Sequence, residues 1–360
     1  MKRYLSQFAV SGLVLVFWCA TLALAGNTAQ QTPPIKLGTS GSNVKDINAS
    51  FCCTGTLGSL VKDTSGNLYI LSNNHVLARS NAGKAGEEIM QRGYVDTVPV
   101  CSNTGTINVA NLTKFVTLNF SGGNNTVDAA IAKIISGQVS TNGTILEIGT
   151  VSATTVSPSV GLKVEKSGRT TAMTKGSIGA INVTVSVTGY GACGMGTNTA
   201  KFVNQFQINS STFSSGGDSG SLIVTQPAAG KKPNPVGLLF AGSSTSTIAN
   251  PISSVLTTLG VSFVGTTAEA LVETPTDPEL QRVSQVKDRY DDYLLNLPGV
   301  VGHGVALSQD GSGRPVIVLF LKDPNVSVAS LPTTIEDVSV ETQITGEFKT
   351  RINCSHAAEK

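Results

Sequence analysis

The sequence predicts a mainly β fold that is followed by a small α/β module. Between Phe51 and Val264, many short apolar runs are separated by Gly, Asn and Ser, a spacing typical of a β-sandwich or β-barrel. Only 13% of the 360 residues are charged and 38 are glycine, which suits a strand-rich extracellular protein. The pattern then changes, because residues 279–295 are the most charged and most helix-like stretch.

The sequence divides into five predicted segments. These are a signal peptide (1–25), a polar leader (26–48), the β-rich domain (49–265), a linker (266–278) and the α/β module (279–360). The module should contain a helix over 279–295 and strands over 299–307 and 316–321, around a glycine-rich turn at 310–313.

The signal-peptide prediction rests on the first residues of the chain. Lys2 and Arg3 precede an apolar run, and residues 23–25 (ALA) place small side chains at the cleavage positions. A retained membrane anchor is the alternative, although the run is somewhat short for a spanning helix. We therefore expect a secreted protein, extracellular or periplasmic, that has no membrane association in its mature form.

The charge balance limits the classes of partner. The chain has 25 Lys and Arg against 23 Asp and Glu, and removing Lys2 and Arg3 leaves 23 of each. A neutral mature chain gives no reason to expect nucleic acid or an anionic membrane as a partner. No cysteine pair has the spacing of a zinc site, so we expect neither a metal nor another cofactor.

The cysteines fit an exported protein, in which disulfides are stable. Without Cys19, which lies in the predicted signal peptide, five of the six cysteines remain: Cys52, Cys53, Cys101, Cys193 and Cys354. An odd number leaves at least one cysteine unpaired or joined to another chain. Neighbouring Cys52 and Cys53 do not suit a bond to each other, and we expect one of them to pair with Cys101.

The strongest chemical signal is the stretch SSGGDSGS at 214–221. A serine hydroxyl becomes a nucleophile when a base takes its proton and two donors receive the developing oxyanion. Flanking glycines allow the backbone to direct two amides at one point, so Gly217 and Ser219 N–H are the predicted oxyanion hole. A flexible loop would explain the glycines, but not an acid and a serine placed directly before an apolar strand.

The base that activates Ser219 must be one of three histidines. His356 lies in a polar tail and His303 lies in the α/β module, whereas His75 follows an apolar strand at a turn. Alone, His75 would be interpreted as a buried structural histidine. The serine motif downstream makes it the predicted general base.

The third member should be a carboxylate that holds the imidazole in the correct tautomer. Asp128 is the predicted residue, because a polar, glycine-rich approach precedes it and an apolar strand follows it at once. Asp96 is the alternative.

The order His75, Asp128, Ser219 and the Gly-Asp-Ser-Gly motif at 217–220 resemble the chymotrypsin/trypsin-like serine peptidases. The resemblance covers roughly residues 51–264. It implies two six-stranded antiparallel β-barrels with the triad in the cleft between them. The stretches at 54–58 (TGTLG), 71–77 (LSNNHVL) and 166–171 (KSGRTT) look like bacterial trypsin-like peptidases related to the plant narrow-leaf protein.

The resemblance also implies where a substrate binds. Phe213 and Ser214, before the nucleophile, and Phe240 and Gly242, on the strand similar to the family's substrate-binding strand, are the expected pocket residues. Residues 211–214 contain no acid, so specificity for Lys or Arg has no support. No segment like the activated terminus of the digestive branch precedes Phe51, so Asp218 needs another partner.

The predicted function is therefore a secreted serine endopeptidase that acts on polypeptides through an acyl-enzyme intermediate. A catalytically silent protease-like binding protein and an esterase with the same triad are the alternatives. We expect the α/β module to regulate or recruit without taking part in the chemistry.

Overall fold

The computed structural model describes residues 26–265 and 277–357. The predicted signal peptide and nearly all of the predicted linker lie outside these residues. Within the two ranges the fold is mainly β, as predicted, and no helix there is long and apolar enough to cross a membrane.

The first barrel is built from antiparallel strands that precede residue 135. They are β1 (Thr39–Asn43), β2 (Phe51–Leu57), β3 (Ser59–Lys62), β4 (Leu68–Ser72), β5 (Glu88–Gln91), β6 (Ile107–Phe115) and β8 (Ala130–Ile134). Strands β2 and β3 follow each other across a bend at Gly58. The pairings β1–β2, β3–β4, β4–β8, β8–β6, β6–β5 and β5–β1 then close a six-stranded barrel around Leu, Ile, Val and Ala side chains.

The bend at Gly58 lies where the two barrels touch. A β-carbon added to Gly58 would lie 1.9 Å from the carbonyl oxygen of Gly220. Only glycine allows this approach, which places the loop around Ser219 against the first barrel.

The second barrel also has six antiparallel strands. They are β9 (Lys163–Gly168), β10 (Ala172–Tyr190), β11 (Asn198–Asn209), β12 (Leu222–Thr225), β13 (Pro235–Gly242) and β14 (Ser246–Pro251). The pairings β9–β10, β10–β11, β11–β14, β14–β13, β13–β12 and β12–β9 close it. The short strand β7 (Asn124–Asn125) joins β11 from the chain segment that leads to Asp128.

Three short elements complete these barrels. Helix α1 (Asn74–Leu77) follows β4, and helix α2 (Ile252–Leu259) follows β14. Strand β15 (Ser262–Phe263) then returns to pair with β3 of the first barrel. Two 3₁₀ turns occur in the described residues, at Tyr94–Asp96 and Val328–Ser330.

The C-terminal region begins with two helices, α3 (Pro278–Arg289) and α4 (Asp291–Leu295), so the predicted helix over 279–295 is interrupted at Tyr290. Strands β16 (Val300–Leu307) and β17 (Pro315–Leu321) confirm the two predicted strands; β18 (Thr334–Ile335) and β19 (Val338–Ile344) follow. Strand β16 pairs with β10, and the sheet of the second barrel therefore continues through β16, β17, β19 and β18. The domain boundary at 266–278 stays a prediction.

The last two strands leave this region and enter the cleft between the barrels. Strand β20 (Phe348–Thr350) pairs with β10 and β13 of the second barrel, and β21 (Asn353–His356) pairs antiparallel with β2 of the first. Residues 348–356 thus form an extended segment that bridges the two barrels.

Candidate active site

His75 and Asp128 lie side by side in the first barrel. His75 is in α1, directly after β4, and Asp128 precedes β8, which pairs with β4, so this pairing brings the two side chains together. His75 Nδ1 lies 2.6 Å from Asp128 Oδ2, and the backbone N–H of His75 donates to Asp128 Oδ1 at 3.3 Å. Both residues are buried.

Two groups that sequence analysis did not single out also hold Asp128. The hydroxyl of Tyr190 donates to Asp128 Oδ2 at 2.9 Å, and the side-chain oxygen of Asn250 accepts the backbone N–H of Asp128 at 3.1 Å. Burial and the neighbouring carboxylate raise the pKa of Tyr190 well above its usual value, so this phenol stays a donor. Tyr190 ends the long strand β10, and its role follows from a contact across 62 residues that local sequence patterns do not reveal.

Ser219 lies across the cleft, between β11 and β12 of the second barrel. Its hydroxyl donates to the carbonyl of Phe240 at 3.1 Å, while Nε2 of His75 is buried and has no hydrogen-bond partner. His75 and Asp128 are therefore in direct contact, while the Ser219 hydroxyl is hydrogen-bonded to Phe240 and not to the imidazole.

The amides of Gly217 and Ser219 converge on a single acceptor. Both donate to the backbone carbonyl of Arg351, at 2.5 and 3.1 Å. Gly217 has φ of 101°, a conformation that favours glycine, and this directs its N–H toward the same point as that of Ser219. Two aligned amides on one oxygen are the geometry that an oxyanion requires.

Asp218, between these two amides, is buried and fully engaged. It accepts hydrogen bonds from the backbone N–H groups of Thr170, Thr171 and Ser215 and from the Thr171 hydroxyl. Its charged partner is Lys166, whose Nζ lies 3.7 Å from Asp218 Oδ2 and whose pKa burial lowers against the opposing effect of Asp218. Lys166, in the stretch KSGRTT, is thus the partner that the sequence required for Asp218. Removing one partner of a buried ion pair costs about 3–5 kcal/mol.

Asp96 takes no part in this cluster. Both of its carboxylate oxygens accept from Arg169, at 2.6 and 2.7 Å, and one also accepts from Ser40 at 2.5 Å. This pairing leaves Asp128 as the acid that contacts His75.

The four expected pocket residues do not line the cleft with their aromatic side chains. The side chains of Phe213 and Phe240 are fully buried in the core of the second barrel, and the Ser214 hydroxyl bonds that of Thr247 at 2.6 Å. The backbone of β13, in contrast, faces the cleft. The carbonyl of Phe240 accepts the N–H of Arg351 at 3.0 Å, and Gly242 pairs with Lys349. The cleft is therefore lined here by main chain rather than by aromatic rings.

Three cysteines meet beside the cleft. Cys52 pairs with Cys101, which confirms the expected bond, while Cys53 lies within bonding distance of both Cys193 and Cys354. The sulfur atoms of Cys193 and Cys354 are 4.0 Å apart. A cavity of about 180 Å³, which His75 and Ile352 also line, adjoins all three. One sulfur forms one disulfide, so the two pairings of Cys53 exclude each other.

One family model and several solved structures are similar to parts of this chain. A family model described as the Nal1 C-terminal domain matches residues 111–250, a range that includes Asp128 and Ser219 but not His75. No curated protein matches the chain.

Solved structures of bacterial chymotrypsin-type serine proteases are similar to it. A glutamic acid-specific serine protease is 20% identical, with 64% of this chain and 100% of that one covered and a TM-score of 0.42. Protease A of Thermobifida fusca is 18% identical over 64% and 99% of the two chains, with a TM-score of 0.41. Cellulomonas bogoriensis chymotrypsin is 18% identical over 61% and 99%, with a TM-score of 0.36. The strand pairing described above independently gives the two closed β-barrels of the predicted fold class.

Proposed function

We propose that this protein is a secreted serine endopeptidase in which Ser219 is the nucleophile, His75 the general base and Asp128 the residue that orients His75. The observation that carries the proposal is the pair of Gly217 and Ser219 amides, which both donate to one peptide carbonyl in the cleft. An extended polypeptide is thus already complementary to this site, which favours a peptide substrate over a simple ester.

In the proposed reaction, the Ser219 hydroxyl turns from the Phe240 carbonyl toward Nε2 of His75, which is free to accept its proton. The oxygen then attacks the substrate carbonyl while the two amides stabilise the oxyanion. His75 returns the proton to the leaving amine, and water hydrolyses the acyl-enzyme by the same steps. Asp128 fixes the tautomer of His75 through Nδ1 and stabilises its charged form.

The test is digestion of a peptide library by the full-length protein over extended incubation, with the products identified by mass spectrometry. Cleavage should disappear in Ser219→Ala and persist in Ser215→Ala, which alters an exposed serine in the same loop. Cleavage that persists in Ser219→Ala would contradict the assignment of Ser219 as the nucleophile. Matched ester and peptide substrates then separate the esterase alternative.

A catalytically silent binding protein is the second candidate, and one observation favours it. The Ser219 hydroxyl bonds Phe240 rather than His75, and a segment of the chain itself occupies the cleft. A silent protein would leave the peptide library intact in every variant, including variants whose cleft is open.

A further inference from the structure

The segment that occupies the cleft, residues 348–356, continues the edges of both barrels. On one side of Arg351, Thr350 pairs with Ala241 and Lys349 with Gly242 of β13. On the other side, Asn353 pairs with Thr54 of β2. Both pairings are antiparallel, so one extended strand crosses the whole cleft beside Ser219.

The peptide bond at the centre of this segment is placed as a scissile bond would be. The Arg351 carbonyl accepts from both Gly217 and Ser219, and the Arg351 N–H donates to the Phe240 carbonyl. The position that the proposed mechanism requires for a substrate carbonyl is therefore filled by residue 351 of the same chain.

Several contacts hold the segment on both sides of that bond. Phe348 is buried in the core of the second barrel, and β20 also pairs with β10. Beyond the bond, β21 pairs with β2 over four residues, from Asn353 to His356, and the ring of His356 packs against Phe51 with 4.4 Å between centroids. If Ser219 cleaved the bond, the new amine at Ile352 would stay in place, because both flanks are held. Resealing would then compete with release.

The Arg351 side chain is a poor substrate group for its pocket. It lies along Gly242, its Nη2 donates to the Ser243 carbonyl, and its Nε is buried without a partner. Burial lowers the pKa of Arg351, and the charge of Asp218 opposes this effect. Within residues 26–265 and 277–357, Arg351 forms no salt bridge with a carboxylate.

The pairing of the three clustered cysteines determines whether a disulfide holds the segment in the cleft. In the pairing Cys53–Cys354, β21 is bonded to β2 and the segment is held in the cleft. In the pairing Cys53–Cys193, the segment is held by non-covalent contacts alone. Cys52–Cys101 is separate from both pairings, so one of the three clustered cysteines has no disulfide partner within the cluster.

We propose that residues 348–356 are a built-in, substrate-like inhibitor of the Ser219 site, which a Cys53–Cys354 disulfide locks and exchange to Cys53–Cys193 releases. In the exchange, the thiolate of Cys193 attacks the Cys53 sulfur. The Cys53–Cys354 bond breaks, and its electron pair leaves on Cys354, which takes up the proton that Cys193 has lost. One disulfide replaces another, so no external oxidant or reductant is consumed. This inference rests on the proposed peptidase function.

The experiment compares two variants of the full-length protein that each fix one pairing. Cys193→Ser leaves only the locked pairing, and Cys354→Ser leaves only the released one. Peptide turnover and the hydrogen exchange of residues 348–356 are measured for both. We expect turnover in Cys354→Ser to exceed that of Cys193→Ser by roughly tenfold or more, because activity scales with the open fraction. Exchange in the segment should rise in parallel.

A third variant keeps the test independent of the disulfide. Arg351→Pro removes the N–H that bonds the Phe240 carbonyl, so it should raise turnover even with Cys354 present. Equal peptide turnover and equal hydrogen exchange in all three variants would contradict the proposal that residues 348–356 inhibit the site. Faster exchange without any turnover would overturn the peptidase function instead, and the inhibitory role with it. If the purified protein contained one equivalent of zinc and Cys53, Cys193 and Cys354 were all thiols, the proposed disulfide exchange would be contradicted.

Discussion

Asp128 is the residue whose surroundings define the proposed catalytic chemistry most narrowly. One carboxylate oxygen contacts both His75 Nδ1 and the Tyr190 hydroxyl, at 2.6 and 2.9 Å. An amide in place of this carboxylate keeps the shape but presents a donor where an acceptor is needed. The imidazole would then be held in the wrong tautomer.

We therefore expect Asp128→Asn to lower peptide turnover by roughly 10³-fold or more while the protein remains folded. Asp96→Asn is the control, because Asp96 bonds Arg169 and does not contact His75. The measurement is kcat for a peptide substrate with both variants in the Cys354→Ser background. A greater loss in Asp96→Asn than in Asp128→Asn would show that the acid has been misassigned.

Residues with a local signature could be predicted from the sequence. Glycines around an acid and a serine indicated Gly217 and Ser219, and a polar approach before an apolar strand indicated Asp128. Tyr190 and Lys166 carry no such signature, because each acts through a partner many positions away along the chain. Phe213 and Phe240 were expected in the pocket, but both rings are buried in the core. Strand alternation turns Phe240 of β13 inward, whereas Phe213 lies in the loop after β11.

At the scale of elements, β16 joins the C-terminal region to the second barrel and carries the buried His303. Nε2 of His303 lies 3.1 Å from the backbone carbonyl of Asp291, which a neutral ring with its proton on Nε2 satisfies. Burial and Lys287 lower the pKa of His303 from 6.5 to about 4, against the opposing effect of Asp291. His303 is thus a structural residue of this junction.

The lowered pKa predicts a pH-dependent stability with a definite sign. The unfolded chain binds a proton on His303 below about pH 6.5, and the folded chain binds it only near pH 4. The contribution of neutral His303 is therefore present above pH 6.5 and is lost as the pH falls toward 4. The expected loss between pH 7 and pH 4 is about 3 kcal/mol.

His303→Gln isolates this effect, because glutamine does not titrate. Urea unfolding without reductant should show that wild-type stability falls more steeply than that of the variant between pH 7 and pH 4. Asp46, whose pKa burial raises to about 7, is common to both proteins and cancels in the difference. A difference between the two proteins that stays constant with pH would contradict this account.

Element types followed from local periodicity more readily than element boundaries did. The strands at β16 and β17 agree with the glycine-turned pattern around 310–313, whereas the helical pattern over 279–295 gives two helices with a break at Tyr290. The 19-residue strand β10 was predicted only in part, because its length depends on four partner strands, β9, β11, β16 and β20. Of these, β16 and β20 are distant from β10 in sequence.

At the scale of the whole molecule, the two barrels supply the two sides of the site, and the chain's own last strands join them. Cys53 and Cys354 are 301 residues apart in sequence, and no local pattern near either predicts their contact. The odd number of cysteines was the one sequence signal of this arrangement, since it required a cysteine without a fixed partner.

The central claim is that His75 activates Ser219 in the cleft between the barrels. The most direct measurement is labelling of the folded Cys354→Ser protein by a fluorophosphonate, with the modified residue located by mass spectrometry. We predict one label per chain, on Ser219, which is lost in Ser219→Ala and slowed by orders of magnitude in His75→Ala. A label on another residue, or undiminished labelling of Ser219 in His75→Ala, would contradict the account.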